Sequence, residues 1–286
     1  LLLKENAATQ RMTVTKLDVE VNSSSAKPPA AGVAGEGSAQ SPGGALFGKL
    51  RRMLALVREI RHLPVVEVDL MLAKTEGNDP FFARIVREYY DYARRRHPKY
   101  LVIRRRSHGV AVCKLPPDFD AYYMSLESSA RRNHKKAVRE GCTFRRIQYN
   151  DHLEDIRKIW QSTDTRQGHM PQHMLRGEVG RVNDPPSKTH FHDYPYYGVF
   201  FEGQLIGYAG CMIAGNYCGV EQIYGHADHF TRGAVPQLFI GIAQDLYQSY
   251  PQVKYFCYDT FFGASETMRR FKKKFQFFPH RVHWKL

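Results

Sequence analysis

An ordered series in the last third of the chain constrains its fold more than any single residue does. Three β-type runs, over residues 196–201, 204–213 and 217–224, follow one another through tight turns. The loop Gly225-His-Ala-Asp-His-Phe-Thr-Arg-Gly233 leads into a helix-type run at 234–248. A strand-type run at 253–258 then ends at Asp259, and a basic helix-type run follows at 266–275. Period-two alternation marks the strands and 3.6-residue spacing marks the helices. Together these runs predict an α/β fold built on a mixed sheet. An antiparallel meander feeds a β-α-β unit, and helices flank the sheet.

The chain is 286 residues long, enough for one large or two modest domains. Its formal net charge is +14 and its pI is near 9.6. Charge of that sign favours polyanions, namely RNA, phosphorylated cofactors or an anionic membrane face. Five cysteines, Cys113, Cys142, Cys211, Cys218 and Cys257, form no CxxC pair. They read as small buried apolar residues in a reducing compartment. No apolar run reaches the roughly 18 residues needed to cross a bilayer. Residues 1–20 lack the basic and apolar blocks of a secretion signal. A cytoplasmic protein that does not act on DNA is expected.

Residues 21–44 are rich in Ser, Ala, Gly and Pro, and 1–45 read as a flexible tail or linker. Residues 46–115 read as a small N-terminal α/β portion, and 116–286 as the main domain. The N-terminal portion opens with a basic amphipathic helix at 46–63, which either docks on the protein body or makes a peripheral membrane contact. A strand at 65–70 follows, then a helix from Pro80 with Asp79 as its cap. Residues 100–105 and 110–115 are expected to pair as a hairpin around Ser107-His-Gly109. One long helix should run from Pro117 until Gly141 stops it. A strand at 143–147 and a helix capped by Asp151 come next. The Gly-, Pro- and His-rich stretch 165–195 is long for a loop in a compact domain, and such loops are usually functional or mobile.

The segment from Leu115 to Gly141 contains Tyr122-Tyr, Leu126, Arg131-Arg-Asn133, Lys135-Lys-Ala137 and the closing Gly. It resembles the helix entering the catalytic unit of the Fem-type (FemAB-like) branch of the GNAT acyltransferase superfamily. Asp164-Thr-Arg-Gln-Gly168, Tyr224-Gly225, Tyr258-Asp259 and Arg269-Arg-Phe-Lys-Lys-Lys-Phe275 are similar to further segments of that branch, in the same order. The resemblance spans about residues 98–286. It implies an N-acyltransferase that moves an acyl or aminoacyl group to an amine. The donor would be acyl-CoA, an acyl-carrier thioester or aminoacyl-tRNA, bound as a co-substrate rather than as a resident cofactor. Ordinary GNAT acetyltransferases carry an Arg/Gln-x-x-Gly-x-Gly/Ala loop for the pyrophosphate of CoA. The loop from Asp228 to Pro236 departs from that spacing and leaves the donor open. Full Fem enzymes hold two such units, and this chain has room for one complete unit and a reduced half.

Acyl transfer to an amine needs a neutral amine, a stabilised oxyanion and a proton for the leaving group. Glu221, set among apolar neighbours on the third meander strand, is the first candidate base, because burial raises a carboxyl pKa. Asp228 is the second. Tyr224 is a candidate acid for the leaving group, although in a chain with 17 tyrosines such a residue is more often a core aromatic with a satisfied hydroxyl. The GNAT layout that the motifs resemble implies that the two parallel strands, here 217–224 and 253–258, splay apart. It makes Gly233, Pro236 and Arg232 at the start of the following helix, with Asp259 past the next strand, candidate donor-binding residues, and an ordinary helix cap is the other reading. Arg166, His169 and His226 are candidate substrate contacts. Arg131, Arg132, Lys135, Lys136 and Lys273 are candidate polyanion contacts, whether to tRNA or to CoA phosphates; a plain solvated face is the other reading. Neither His226-x-Asp228-His229 nor His190-x-His192-Asp193 has a partnering ligand at a recognised spacing, so no metal is expected. A reading from another class stays open: a catalytically inactive GNAT-fold protein that holds RNA on its basic surface.

Overall fold

The computed structural model describes Arg51, Leu54 and residues 57–75, 79–97, 103–166, 168–185, 187–262 and 264–286. The expected tail at 1–45 lies outside the described residues. Of the helix expected at 46–63, Arg51, Leu54 and residues 57–61 are described and helical, with Ile60 buried and Leu54 exposed.

The meander forms as its alternation predicts. Strands β5 (Tyr196–Phe201), β6 (Gln204–Ala214) and β7 (Tyr217–Gly225) pair antiparallel in sequence. Helix α6 (Ala234–Ser249) crosses over to β8 (Tyr255–Thr260), which lies parallel to β7. Around this unit a nine-stranded mixed sheet runs in the order β1-β9-β2-β8-β7-β6-β5-β3. Its other strands are β1 (Val65–Asp69), β2 (His108–Lys114), β3 (Thr143–Ile147) and β9 (Phe278–Lys285). The two-residue strand β4 (His192–Asp193) pairs with the end of β6.

Two expectations are corrected. The hairpin around Ser107-His-Gly109 does not form among the described residues. Instead β2 pairs antiparallel with β8 on one side and β9 on the other. Residues 109–113 are all buried, so β2 needs a partner on both edges, and the later strands supply them. The boundary expected at residue 115 therefore falls within one continuous sheet. The long helix from Pro117 is two helices, α2 (Phe119–Ser125) and α3 (Ser128–Arg139). Leu126 and Glu127 between them are extended, and the Glu127 amide donates to the Lys274 carbonyl at 3.1 Å. That bond ties the break to α7 (Glu266–Lys274). Asp79 caps α1 (Pro80–Arg94) as expected, accepting from the Phe82 amide at 2.9 Å. Gly141, at φ +86°, follows α3 and ends it.

Helices cover both faces of the sheet. On one face α2, α3, α6 and α7 enclose a core that includes Val220, Leu238, Phe239, Phe256 and Phe277. The other face carries two separate cores. One, under α1, holds Tyr89, Met212, Tyr217 and Trp284. The second, under α4 (Leu153–Gln161), holds Ile156, Trp160, Tyr196 and Tyr208. Tyr194 packs against both, which places it at the seam between them. All five cysteines are free and buried. Among the described residues no helix is long and apolar enough to cross a membrane.

The turn between β6 and β7 seats β1 against the meander. Asn216 accepts the Asp69 amide through its side-chain oxygen at 3.0 Å, and its own amide donates to the Asp69 carbonyl at 3.0 Å. Gly215 holds φ +57°, and a Cβ there would meet the Asp69 carbonyl oxygen at 2.2 Å. Strain at positive φ and a backbone clash therefore act together. Gly215→Ala is expected to lower stability by about 2–4 kcal/mol, read as a fall in the urea midpoint at unchanged slope.

Candidate active site

Strands β7 and β8 are paired over three residues only: Tyr217 with Tyr255, Cys218 with Phe256 and Gly219 with Cys257. Beyond Gly219, β7 continues to Gly225 bound to β6 alone, while β8 continues to Thr260 beside β2. The two parallel strands thus open into a V. The amide of His226 donates to the Ile206 carbonyl at 2.8 Å. Counting back by the alternation of an antiparallel ladder, the amides of Tyr224 and Gln222 also face β6. The N–H of Ile223 therefore faces the opened edge.

A bulge shapes the floor of the V. Gly210 pairs with Gln222 and Cys211 with Val220, so Glu221 is the extra residue on β7. Residues three apart on a regular strand point to opposite faces. Here Val220 and Ile223 belong to the core under α6, whereas Tyr224 packs into the core under α4. Glu221 lies on the same face as Tyr224, in the field of Tyr89, Tyr217, Tyr194 and Arg106. The bulge brings these two candidate groups onto one side of the sheet, at the seam between the two cores.

Burial pushes the Glu221 carboxyl up to about 7; the Arg106 charge opposes that rise and the Asp259 carboxylate reinforces it. Arg106 is nearly buried, its side chain 10% exposed, and one of its guanidinium nitrogens lies 2.5 Å from Asp259. Asp259 holds φ +53° at the lip of the opening, with 54% of its side chain exposed. Burial pushes its carboxyl up, but Arg106 and Lys272 outweigh this and leave it below the ordinary range. Lys272 is itself buried. Its Nζ donates to the Thr260 carbonyl at 2.6 Å and lies 4.8 Å from the centre of the Tyr258 ring. Desolvation brings it down to about 8. Two carboxyls and two cations thus meet at the mouth of the V, beside a Tyr89–Tyr217 hydroxyl pair 2.5 Å apart.

The other residues singled out in the sequence lie elsewhere. Asp228, with its side chain 84% exposed, sits on the 3-10 turn Ala227–Arg232, where its amide donates to His226 Nδ1. On that turn Arg232 covers the Phe201 ring at 3.8 Å and donates to His229 Nδ1. Arg166 donates to the carbonyls of Gly225 (2.8 Å) and Ile159 (2.7 Å), and its guanidinium lies 5.6 Å from the centre of the Tyr224 ring. It pins the end of β7 rather than projecting free, and His169 is exposed beside it in the chain. Gly233 (φ +78°) precedes α6. Pro236 has no N–H to offer, so the first turn of that helix presents the amides of Ala234 and Val235. Among the basic residues, Arg131 donates to the carbonyls of Met124 and Leu126, and Lys136 to that of Thr231. Lys273 is exposed, 5.9 Å from the Phe261 ring centre. Arg132 and Lys135 are exposed on α3. Among the described residues no three His, Cys, Asp or Glu side chains gather as a metal-ligand set.

Sequence reasoning missed Arg106 and Lys272. Lys272 did carry a signal, because it stands four residues after Met268 and three before Phe275, on the buried stripe of α7. Arg106 is the last of three consecutive arginines and had none.

No protein-family model matches the sequence, and no curated protein matches it. Several solved structures do match. FemX is 9% identical with a TM-score of 0.46, over 60% of this chain and 59% of that one. L-PGS from Bacillus licheniformis is 15% identical with a TM-score of 0.38, over 61% and 60%. The PaiA N-acetyltransferase from Thermoplasma acidophilum, in complex with coenzyme A, is 15% identical with a TM-score of 0.25, over 38% and 75%. The chain spans less than two thirds of the length of the first two. The neighbours include Fem-type and GNAT acetyltransferase structures, the branch that the sequence motifs resemble. The described sheet has the layout expected from the sequence, an antiparallel meander followed by a β-α-β unit, with helices on both faces. Within it, a meander leads to a bulged strand that parts from its parallel neighbour.

The raised Glu221 carboxyl gives a stability signature. The folded state holds the Glu221 proton between the ordinary carboxyl range and about pH 7, and the unfolded chain does not. That contribution is present at low pH and is lost as pH rises through this window. Glu221→Gln removes it. The variant is expected to gain about 2–3 kcal/mol relative to the parent chain between pH 5 and pH 8, read from urea unfolding of both proteins across that range.

Proposed function

We propose that the chain is an N-acyltransferase whose reaction centre is the opening between β7 and β8. The single observation that carries this reading is the meeting, at one bulge, of an unpaired strand edge and a carboxyl tuned to about 7. The edge supplies the Ile223 N–H to the carbonyl oxygen of a bound acyl donor as that oxygen gains charge. Glu221 supplies the base. It takes the proton that the amine nitrogen must lose as the N–C bond forms and the C–S or C–O bond of the donor breaks. Tyr224, whose hydroxyl burial holds above the ordinary tyrosine range, keeps its proton at neutral pH and can pass it to the departing thiolate or alkoxide. Asp259 and Arg106 set the charge around the base and line the acceptor side.

The donor is a thioester or an aminoacyl ester. The start of α6, with its Ala234 and Val235 amides, and the exposed Arg132 and Lys135 of α3 offer contacts to donor phosphates. Packing in the described residues supports α3 as the wall of that donor side, because a Cβ on Gly233 would lie 3.1 Å from the Asn133 carbonyl oxygen.

The test uses the full chain with acetyl-CoA and alanyl-tRNA as donors and a panel of primary amines as acceptors. Amine-dependent release of free thiol or of deacylated tRNA is expected with one donor. Glu221→Gln should lower kcat about 10²–10⁴-fold at an unchanged fold; full turnover by that variant would exclude the mechanism. The rate of the parent chain should rise with pH through about 7, as Glu221 ionises. Arg106→Gln removes the charge that opposes protonation of Glu221, so the same rising limb should move to higher pH by about one unit.

A further inference from the structure

A recess of about 430 Å³ opens outside the candidate active site, between α1, β9 and the turn before β2. Its lining includes three guanidinium groups, Arg94, Arg104 and Arg281, and two imidazoles, His108 and His283, but no carboxylate. Like charges gathered this way repel one another unless an anion joins them. Glu67 lies in the field of His283, and it is already paired with Lys285 at 2.7 Å. Among the described residues no carboxylate pairs with Arg94, Arg104 or Arg281.

The remaining groups are arranged to keep these cations in place. The Tyr90 hydroxyl accepts from Arg94 at 2.6 Å, and its ring lies 4.6 Å beneath that guanidinium. The Arg104 amide donates to His108 Nδ1 at 2.9 Å, which fixes the His108 proton on Nε2 and leaves that N–H as a donor. The positive charges of Arg281, Arg104 and His283 add to burial in holding the His108 imidazole below its ordinary range, so these groups act on one another within a single recess. Val282 and Trp284 form a buried wall.

We propose that this recess is a binding site for a doubly charged phosphate group, as a phosphate monoester or a diphosphate. Guanidinium forks match phosphate oxygens in pairs, and here three of them converge on one recess with a buried wall behind it. The site is separate from the acyl-transfer reading but shares a segment with it. Ser107 and His108 line the recess, while Arg106, the residue before them, pairs with Asp259. The indole N–H of Trp284 donates to the Arg106 carbonyl at 3.0 Å. Occupancy of the recess therefore bears on the turn before β2 that carries Arg106.

The test measures binding, not turnover, so its result stands whether or not the chain transfers acyl groups. Inorganic pyrophosphate is titrated into the full chain by calorimetry at constant ionic strength, and co-sedimentation is measured with phosphatidic acid vesicles. Arg104→Gln/Arg281→Gln is compared with a charge-matched control, Arg87→Gln/Lys158→Gln, which alters exposed positions outside the recess. At least a tenfold loss of pyrophosphate affinity in the first pair alone supports a site for a soluble phosphate compound. Loss of vesicle binding in the first pair alone supports the same site with a lipid phosphate as its source. If both pairs of substitutions weaken both probes equally, or neither probe binds more tightly than chloride, the site does not exist. Thermal unfolding in the absence of probe separates loss of the site from loss of the fold.

Discussion

Three residue pairs hold β7 to β8, and the arrangement of the site depends on that short zipper ending where it does. Were the two parallel strands paired to their ends, the Ile223 amide would be consumed by the ladder and Glu221 would have no crevice to face. The opening is kept from collapsing by what flanks it. On one side β8 turns to β2, and the Gly109 carbonyl accepts the Phe261 amide at 2.6 Å. On the other, Arg166 grips the Gly225 carbonyl and fixes the end of β7. An unpaired strand edge inside a protein is costly unless polar partners or a ligand meet it. Here the edge is lined by a bulge and an ion cluster rather than by a third strand.

The electrostatics follow from the same opening. A carboxyl placed on a bulge between two apolar cores loses hydration, and this pushes Glu221 up to about 7. Asp259, at the lip and beside Arg106 and Lys272, goes the other way. Burial raises both acids, yet they end with separated proton affinities, because Arg106 and Lys272 together outweigh it at Asp259 while Arg106 alone does not at Glu221. Such a pair can hold one proton and one negative charge at the same pH.

Much of this was legible in the sequence wherever the signal is local. The meander, the crossover helix and β8 announce themselves through alternation and turns, because each strand pairs with its neighbour in the chain or one helix away. Glu221 stood out as a charge in an apolar run, and the structure puts it at the opening. The pairing of β2 was not legible. Its partners lie far along the chain, so a nearby run, 100–105, looked like the natural mate. Strand β9 escaped notice because Pro279 interrupts its pattern. Arg106 and Lys272 were missed for a related reason. The chemistry of a buried cation is decided by what folds over it, and only Lys272 sits on a periodic stripe that betrays its burial.

The position of β2 has a consequence for how the chain acquires its shape. Val110 finds its cross-strand partners at Thr260 and His280, so the middle of the sheet cannot knit until segments made much later in synthesis have arrived. During that interval the apolar run 110–113 has two vacant edges, a state prone to mispairing with other chains. Charged residues border that run, with Arg104, Arg105 and Arg106 upstream and Lys114 at its end. Besides their places in the finished molecule, these residues can act as gatekeepers that keep a nascent strand soluble while it waits.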